Sequence, residues 1–185
     1  DHVIEMVQGA AKELVLGDTA NWATDVGPVI DRSAFDGIQQ HIQRLKSSSK
    51  VLLAQDTPAQ AATNLIAPHA FELQQVSDVA QEIFGPVLHV VRWSGDPLAV
   101  IEQVNALGYG LTMGIQTRID SRAHSLAAAA HIGNVYINRN TIGAVVGVQP
   151  FGGEGLSGTG PKAGGPHYLL RFCAEQTLTV NTTAA

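Results

Sequence analysis

Apolar positions along this chain alternate between a helical period and short strand-like runs. The helical spacing predicts helices over residues 3–14, 34–45, 76–83, 98–107 and 121–130. The apolar runs predict strands over residues 51–54, 65–73, 86–93, 111–117 and 134–138. Strands and helices that follow each other at these lengths indicate an α/β fold with a mostly parallel sheet covered by helices. Nothing in the pattern indicates a division into two domains.

Local signals add detail to several of these elements. Asp31 is placed to cap the second helix, and Asp96 with Pro97 at the first helical position frames the fourth. Pro68 would confine the 65–73 strand to a sheet edge or a bulge, because proline cannot donate to a ladder. Residues 56–63 are polar and rich in alanine, which predicts a surface loop.

The composition narrows the classes of function. With 185 residues, 45% hydrophobic and 15% charged, the chain has the size and balance of one globular domain. A net charge of −5 without a basic cluster argues against nucleic-acid binding. No apolar run approaches the roughly 20 residues that a membrane span requires. The seven histidines show no paired metal-ligand spacing, so no metal site is predicted.

The number of cysteines and the two ends of the chain indicate where the protein is located and whether the chain is part of a longer one. The single cysteine excludes an intrachain disulfide, and no signal-peptide pattern opens the chain, so a cytoplasmic protein is expected. The first residues already lie in a helical pattern, and a strand-like segment over 175–182 stands close to the last residue. Because natural domain boundaries usually fall in polar linkers, we expect a piece of a longer protein.

Residues 143–166 hold nine of the nineteen glycines, with apolar residues between them. Glycine permits positive φ and close approach to the backbone. One interpretation is an ordered loop that packs on the fold for its own sake. The other is a cradle of backbone N–H groups for an anion, in a connection where α/β sheets bind ligands. No Walker loop occurs, and the G-x-G-x-x-G pattern at 153–158 is not followed by a helix.

Three single residues are further candidates for chemistry. Glu82 is either the solvated end of a short helix or a carboxylate that accepts hydrogen bonds from two ribose hydroxyls. Phe84 either belongs to the core or lies against an apolar ring face. Cys173 is the one possible thiolate nucleophile, but its apolar surroundings in the sequence favour a buried structural residue.

Three segments taken together resemble the aldehyde dehydrogenase family. Residues 82–86 (EIFGP) look like its E-x-F-G-P motif, and residues 25–30 (DVGPVI) look like the segment that follows its nucleophile region. The run over 138–153, continued over 157–166, is similar to the L-glutamate γ-semialdehyde (pyrroline-5-carboxylate) dehydrogenase domain of bifunctional proline utilisation A. The closing TLTVNTTAA also resembles that protein.

The resemblance implies roles for five residues. Glu82 would bind the nicotinamide ribose hydroxyls of NAD, and Phe84 would pack near the nicotinamide. Gly143 and Ala144 would form an aldehyde-anchor loop, whose backbone amides hold the α-carboxylate of glutamate semialdehyde. Phe151 would form a wall of the aldehyde tunnel.

The resemblance also implies an organisation and partners. Residues 1–174 would be part of the catalytic domain, and residues 175–185 would begin an oligomerisation flap. The partners would be an aldehyde that carries a carboxylate, the rest of a longer chain, and further copies in a homo-oligomer. FAD would belong only to the proline dehydrogenase domain of that longer protein.

One departure from the family concerns catalysis itself. Family members use a cysteine thiolate to attack the aldehyde, transfer a hydride to NAD, and hydrolyse the thioester with a glutamate base. These groups precede the segment that resembles residues 1–10, and Cys173 lies on the wrong side of the glycine motif. The resemblance therefore implies no catalytic residue here and an inactive chain. Two alternatives stay open: an aldehyde dehydrogenase for another substrate, and a non-catalytic module that self-associates through strand 175–182.

Overall fold

The computed structural model describes residues 1–58, 64–79, 81–145 and 147–183. It divides the chain into two compact units, Asp1–Ser94 and Gly95–Ala185, a division that the sequence pattern did not indicate. The α/β class is confirmed, since both units combine helices with strands. The sheets are small and mixed, because two of the four strand pairings are parallel and two are antiparallel.

The first unit holds two helices, three strands and a 3-10 turn. They are α1 (His2–Lys12), α2 (Arg32–Ser48), β1 (Lys50–Ala54), β2 (His69–Leu73), the turn Val76–Asp78 and β3 (Val87–Val91). The strands form one sheet in the order β1–β2–β3, in which β2 is antiparallel to β1 and parallel to β3. One apolar face of α2 packs on this sheet, and the buried core there is formed by Ile38, Ile42, Leu45, Ile66, Phe71 and Leu73.

Most sequence predictions for this unit are confirmed, and two are wrong. Asp31 caps α2, because its side chain accepts a hydrogen bond from the Ala34 amide. Pro68 does not place β2 at an edge: it stands immediately before the strand, which is central in the sheet. The helix expected over 76–83 is only a 3-10 turn, because the backbone leaves the helical region at Val79, with φ −89° and ψ 88°. Residues 59–63 of the predicted surface loop, and residue 80, lie outside the described residues.

The second unit holds two helices and two short two-stranded sheets. Its elements are α3 (Pro97–Ala106), β4 (Tyr109–Gly110), β5 (Thr112–Ile115), α4 (Asp120–Ala129), β6 (Asn134–Ile137), β7 (Glu154–Gly155) and a 3-10 turn, Tyr168–Phe172. Strands β5 and β6 are parallel, and β4 pairs with β7 in the antiparallel sense. The core is formed by Ile101, Ile115 and Leu126. Asp96 caps α3 and Pro97 opens it, as the sequence predicted.

The strand expected over residues 175–182 is absent from the part of the chain that the structure describes. A strand requires a partner for its backbone groups, and no described segment pairs with these residues. Leu178 and Val180 are 83% and 69% exposed. The structure also contains no helix, within the described ranges, that has the length and apolar character needed to cross a membrane.

Candidate functional site

The loop over residues 81–86 presents Glu82 and Phe84 to solvent. Ile83, between them, points inward and packs against the core under α2. Gly85 lies so close to α2 that a Cβ atom there would come within 2.5 Å of Ile38 Cδ1. This close approach presses the loop on the helix and leaves the two flanking side chains outside. Phe84 is 77% exposed, so its assignment to the core is wrong.

Glu82 and Phe84 border a groove of about 220 Å³ between this loop and the first turns of α2. Its other lining residues are Ala34, Gly37, Ile38, Gln81 and Ile83. An exposed carboxylate next to an exposed aromatic ring offers an acceptor for a diol and a surface for a flat ring. These are the features that the predicted contact with a nicotinamide riboside requires.

A second group of candidate residues lies after β6, in the second unit. Gly143 has φ +63°, with open space where a Cβ would stand, and Ala144 follows it. Among the described residues, neither the Gly143 nor the Ala144 amide donates a hydrogen bond to another protein group. Unpaired N–H groups in a turn with positive φ can bind an anion. The geometry therefore suits the anchor role that the resemblance assigns to these residues.

Tyr136, a residue that the sequence reasoning missed, contacts this anchor. It lies in β6 with 6% of its surface exposed, and its hydroxyl donates a hydrogen bond to the Gly143 carbonyl at 3.3 Å. The guanidinium carbon of Arg139 lies 4.9 Å from the centre of the same ring. The sequence offers only a weak indication of this contact, namely a tyrosine in a predicted strand that precedes the glycine-rich segment.

The remaining glycine-rich segment is a packed loop, so the packing interpretation of the glycines is confirmed there, while the anion cradle at Gly143 and Ala144 stays a prediction. A Cβ at Gly153 would lie 2.6 Å from the Ser157 oxygen and 2.8 Å from the Gly110 oxygen. The buried side chain of Asn134 joins the segment to β6, since its amide donates to Pro150 O at 3.0 Å and its oxygen accepts from the Gly152 amide at 3.2 Å. Glycine is required here for packing.

Phe151 lies at the junction between the anchor and the packed loop. Its amide donates to Ala163 O at 3.0 Å, and the Ala163 amide donates back to Phe151 O at 2.9 Å. The ring is half-buried. Phe151 thus belongs to the same unit as Gly143 and Ala144, whereas Glu82 and Phe84 belong to the first unit.

A pair of histidines lies beside the groove of Glu82. His41 Nε2 and His89 Nε2 are 2.8 Å apart, and an Arg44 guanidinium nitrogen lies 3.3 Å from His41 Nδ1. Because arginine can only donate, His41 Nδ1 is the acceptor and His41 Nε2 carries the proton donated to His89. Burial lowers the pKa of both rings, and the Arg44 charge lowers each further. The pair is therefore held neutral.

Cys173 has no catalytic surroundings, and its expected burial is wrong. The residue is exposed, and its Sγ donates to Leu169 O at 3.5 Å. No histidine or carboxylate is hydrogen-bonded to the thiol among the residues described. Those residues also contain no group of three or more potential metal ligands.

Comparison with known proteins identifies the class. The model of the aldehyde dehydrogenase family matches residues 1–178. The chain therefore belongs to the aldehyde dehydrogenase family.

Two relatives are similar to the chain over nearly its whole length. The chain is 48% identical over 183 residues to bifunctional protein PutA of Escherichia coli, across 95% of this chain and 14% of that protein. It is 35% identical over 179 residues to 1-pyrroline-5-carboxylate dehydrogenase 1 of Halalkalibacterium halodurans, across 96% of this chain and 35% of that protein. The chain thus spans 14% of the first relative and about a third of the second.

Solved structures agree with these relatives. The crystal structure of Bradyrhizobium japonicum proline utilization A, mutant D779W, is similar with a TM-score of 0.91 and 52% identity, over 100% of this chain and 19% of that one. A 1-pyrroline-5-carboxylate dehydrogenase from Thermus with bound NAD is similar with a TM-score of 0.82 and 35% identity, over 92% and 33% of the two chains. The homology to the dehydrogenase part of PutA is thereby shown.

Proposed function

We propose that this chain is part of an NAD-dependent L-glutamate γ-semialdehyde dehydrogenase, in a longer protein that oxidises the semialdehyde to glutamate. The observation that carries the proposal is the Gly143–Ala144 turn. Its two amide N–H groups donate to no described protein group, and its positive φ suits an anion. The relatives named as 1-pyrroline-5-carboxylate dehydrogenases and as PutA support the same substrate.

Each site residue has one role in this proposal. Gly143 and Ala144 hold the substrate carboxylate through their amides, and Phe151 forms an apolar wall for the aldehyde chain. Glu82 accepts hydrogen bonds from the nicotinamide ribose, and Phe84 lies near the nicotinamide. NAD, when bound, supplies the hydride acceptor; the neighbour that contains NAD supports this cofactor. FAD would serve only a proline dehydrogenase domain elsewhere in the longer protein.

Kinetics of the full-length protein test the substrate. An N–H group that donates to a charged acceptor contributes about 1.5–3 kcal/mol, or about 10- to 100-fold in binding. We therefore expect kcat/KM for glutamate semialdehyde to exceed that for an uncharged aldehyde of equal length by at least about tenfold. Equal values would contradict the proposed substrate and favour an aldehyde dehydrogenase of another specificity.

The chain by itself is proposed to be inactive. Cys173 is exposed but is hydrogen-bonded to no described base, so no described cysteine is activated as a nucleophile. We expect no NAD-dependent oxidation of glutamate semialdehyde by the 185-residue chain. If the chain did turn over glutamate semialdehyde and Cys173→Ala abolished that turnover, this expectation would be contradicted. His124→Ala, at another exposed position, is the control and should leave any turnover unchanged. A cytoplasmic location remains a proposal as well.

Self-association is a second candidate function, and the last residues favour it. Residues 175–182 have no strand partner within the described residues, and Leu178 and Val180 are exposed. An unpaired apolar segment can pair with another chain. Sedimentation of the full-length protein tests this: a homo-oligomer that dissociates when residues 175–185 are removed supports it, and a monodisperse monomer before removal contradicts it.

A further inference from the structure

The peptide between Gly143 and Ala144 makes one hydrogen bond within the described residues. That bond is donated by the Tyr136 hydroxyl to Gly143 O at 3.3 Å. No cis peptide occurs in the described chain, so the carbonyl and the N–H of this peptide point in opposite directions. Since the carbonyl faces the Tyr136 hydroxyl, the Ala144 N–H points away from that hydroxyl.

We propose that Tyr136 is a positioning residue for the aldehyde anchor, whose hydroxyl holds the Gly143–Ala144 peptide with its N–H directed at the substrate carboxylate. The inference rests on the proposed function, because it assigns that N–H to a carboxylate. The flexibility of Gly143 makes this hydrogen bond from Tyr136 necessary. With φ +63° and nothing near its Cβ position, its backbone has no side-chain contact to prevent rotation of the peptide.

Arg139 strengthens the donor. Its guanidinium stacks over the Tyr136 ring at 4.9 Å, so a permanent positive charge stands next to the phenol. A cation at the ring face draws electron density away from the phenol oxygen, which makes the hydroxyl a better donor to Gly143 O. Gln116 fixes the backbone that carries this arginine, because its side-chain amide donates to the Arg139 main-chain carbonyl at 3.1 Å. Arg139 thus acts through Tyr136.

The substitution Tyr136→Phe in the full-length protein tests the inference. It removes the hydroxyl and retains the ring, the packing and the stacked arginine. We expect KM for glutamate semialdehyde to rise about tenfold with kcat nearly unchanged, as for the loss of one aligned hydrogen bond. KM for an uncharged aldehyde of equal length should not change. Arg139→Gln should give a smaller effect of the same kind, about threefold.

Tyr109→Phe is the matched control, because its hydroxyl makes no hydrogen bond within the described residues and it lies in the same unit. It should leave both KM values unchanged. Equal rises of both KM values in Tyr136→Phe would show a merely structural role and overturn the inference. Wild-type values for both substrates would also overturn it, while the proposed function would stand. If the unsubstituted protein itself shows no preference for the carboxylate, the proposed function fails and this inference fails with it.

Discussion

At the scale of single residues, the candidate site residues differ in which contacts hold them in place. Glu82 and Phe84 are exposed because Ile83 and Gly85, their neighbours, anchor the loop on α2. The anchor amides are available because Gly143 adopts a positive φ. These placements depend on small neighbours and on the direction of one peptide, which spacing in the sequence does not reveal. The roles of these residues therefore rest on the motif resemblance and stay predictions.

Glu82→Gln tests the proposed ribose contact. The amide has the shape of the carboxylate but no charge, and charged acceptors form hydrogen bonds roughly twice as strong as neutral ones. In the full-length protein we expect KM for NAD to rise about tenfold, with thermal stability unchanged because the residue is exposed. Steady-state kinetics with varied NAD measure this. Glu102→Gln on α3 is the control, and an unchanged KM in both variants argues against the role of Glu82.

At the scale of elements, the sequence predicted what local chemistry decides. Helices α2 and α3 were found with their caps, because Asp31 and Asp96 each accept a hydrogen bond from an amide in the first turn. The short pairing of β4 with β7 was not predicted. It joins two-residue strands separated by more than forty residues, so no local period marks it. The glycine-rich loop was located, but its division into an anchor and a packed part depends on contacts with residues distant in sequence.

Gly133, which stands before β6 and contacts the packed part of that loop, should tolerate no side chain. A Cβ at Gly133 would collide with the Gly152 oxygen and lie 2.8 Å from Gly153 Cα. Both obstacles are backbone atoms, so they cannot move aside cheaply. We expect Gly133→Ala to lower the free energy of unfolding by about 1–3 kcal/mol. Denaturant titration of the chain measures this.

Gly9→Ala is the matched control for that substitution. Gly9 lies in α1 with open space where a Cβ would stand, and alanine is the better helix former by about 0.5–1 kcal/mol. The two alanine variants should therefore change stability in opposite directions. A neutral or stabilising Gly133→Ala would show that the loop does not pack against β6 as described.

At the scale of the whole molecule, the histidines with lowered pKa values all lie in the first of the two compact units. The first unit buries His41 and His69 and leaves His89 half-buried, all three in or beside its sheet. Burial is the main cause that lowers the pKa of each, from an ordinary value of 6.5. For His69, the Ala67 carbonyl that accepts from its ring opposes the shift. The first unit therefore depends on keeping these rings neutral.

Stability should fall as the pH drops below 6.5. Below this pH the histidines of the unfolded chain bind protons, whereas His41 and His89 of the folded chain bind them only at a lower pH. Protonation therefore favours the unfolded chain, and folding becomes less favourable. We expect urea titrations to give a constant free energy of unfolding from pH 8 to 7 and a decreasing one from 6.5 downward. The pKa of Glu72 is lowered mainly by its hydrogen bond with Arg92. Protonation of Glu72 therefore reduces the free energy of unfolding only below about pH 4.5.

Two substitutions separate the effect of the buried histidines on the free energy of unfolding from the effect of other groups that titrate at low pH. His41→Gln should reduce the slope of stability against pH between 6.5 and 5, because it removes one ring held neutral by burial. His124→Gln, on the exposed side of α4, is the control and should retain the original slope. A profile that is flat from pH 8 to 5 in the unsubstituted chain would contradict the account of the buried rings.

The measurement that tests the central claim most directly is the carboxylate preference of the full-length protein with and without Gly143→Ala. Alanine at φ +63° costs about 1–2 kcal/mol, so the turn should relax and move the anchor amides. We expect the ratio of kcat/KM for glutamate semialdehyde to that for an uncharged aldehyde to fall about tenfold. Gly95→Ala, at φ +89° with equal space around it, should leave that ratio unchanged. A ratio that is the same in all three proteins would contradict the assignment of Gly143 and Ala144 as the anchor.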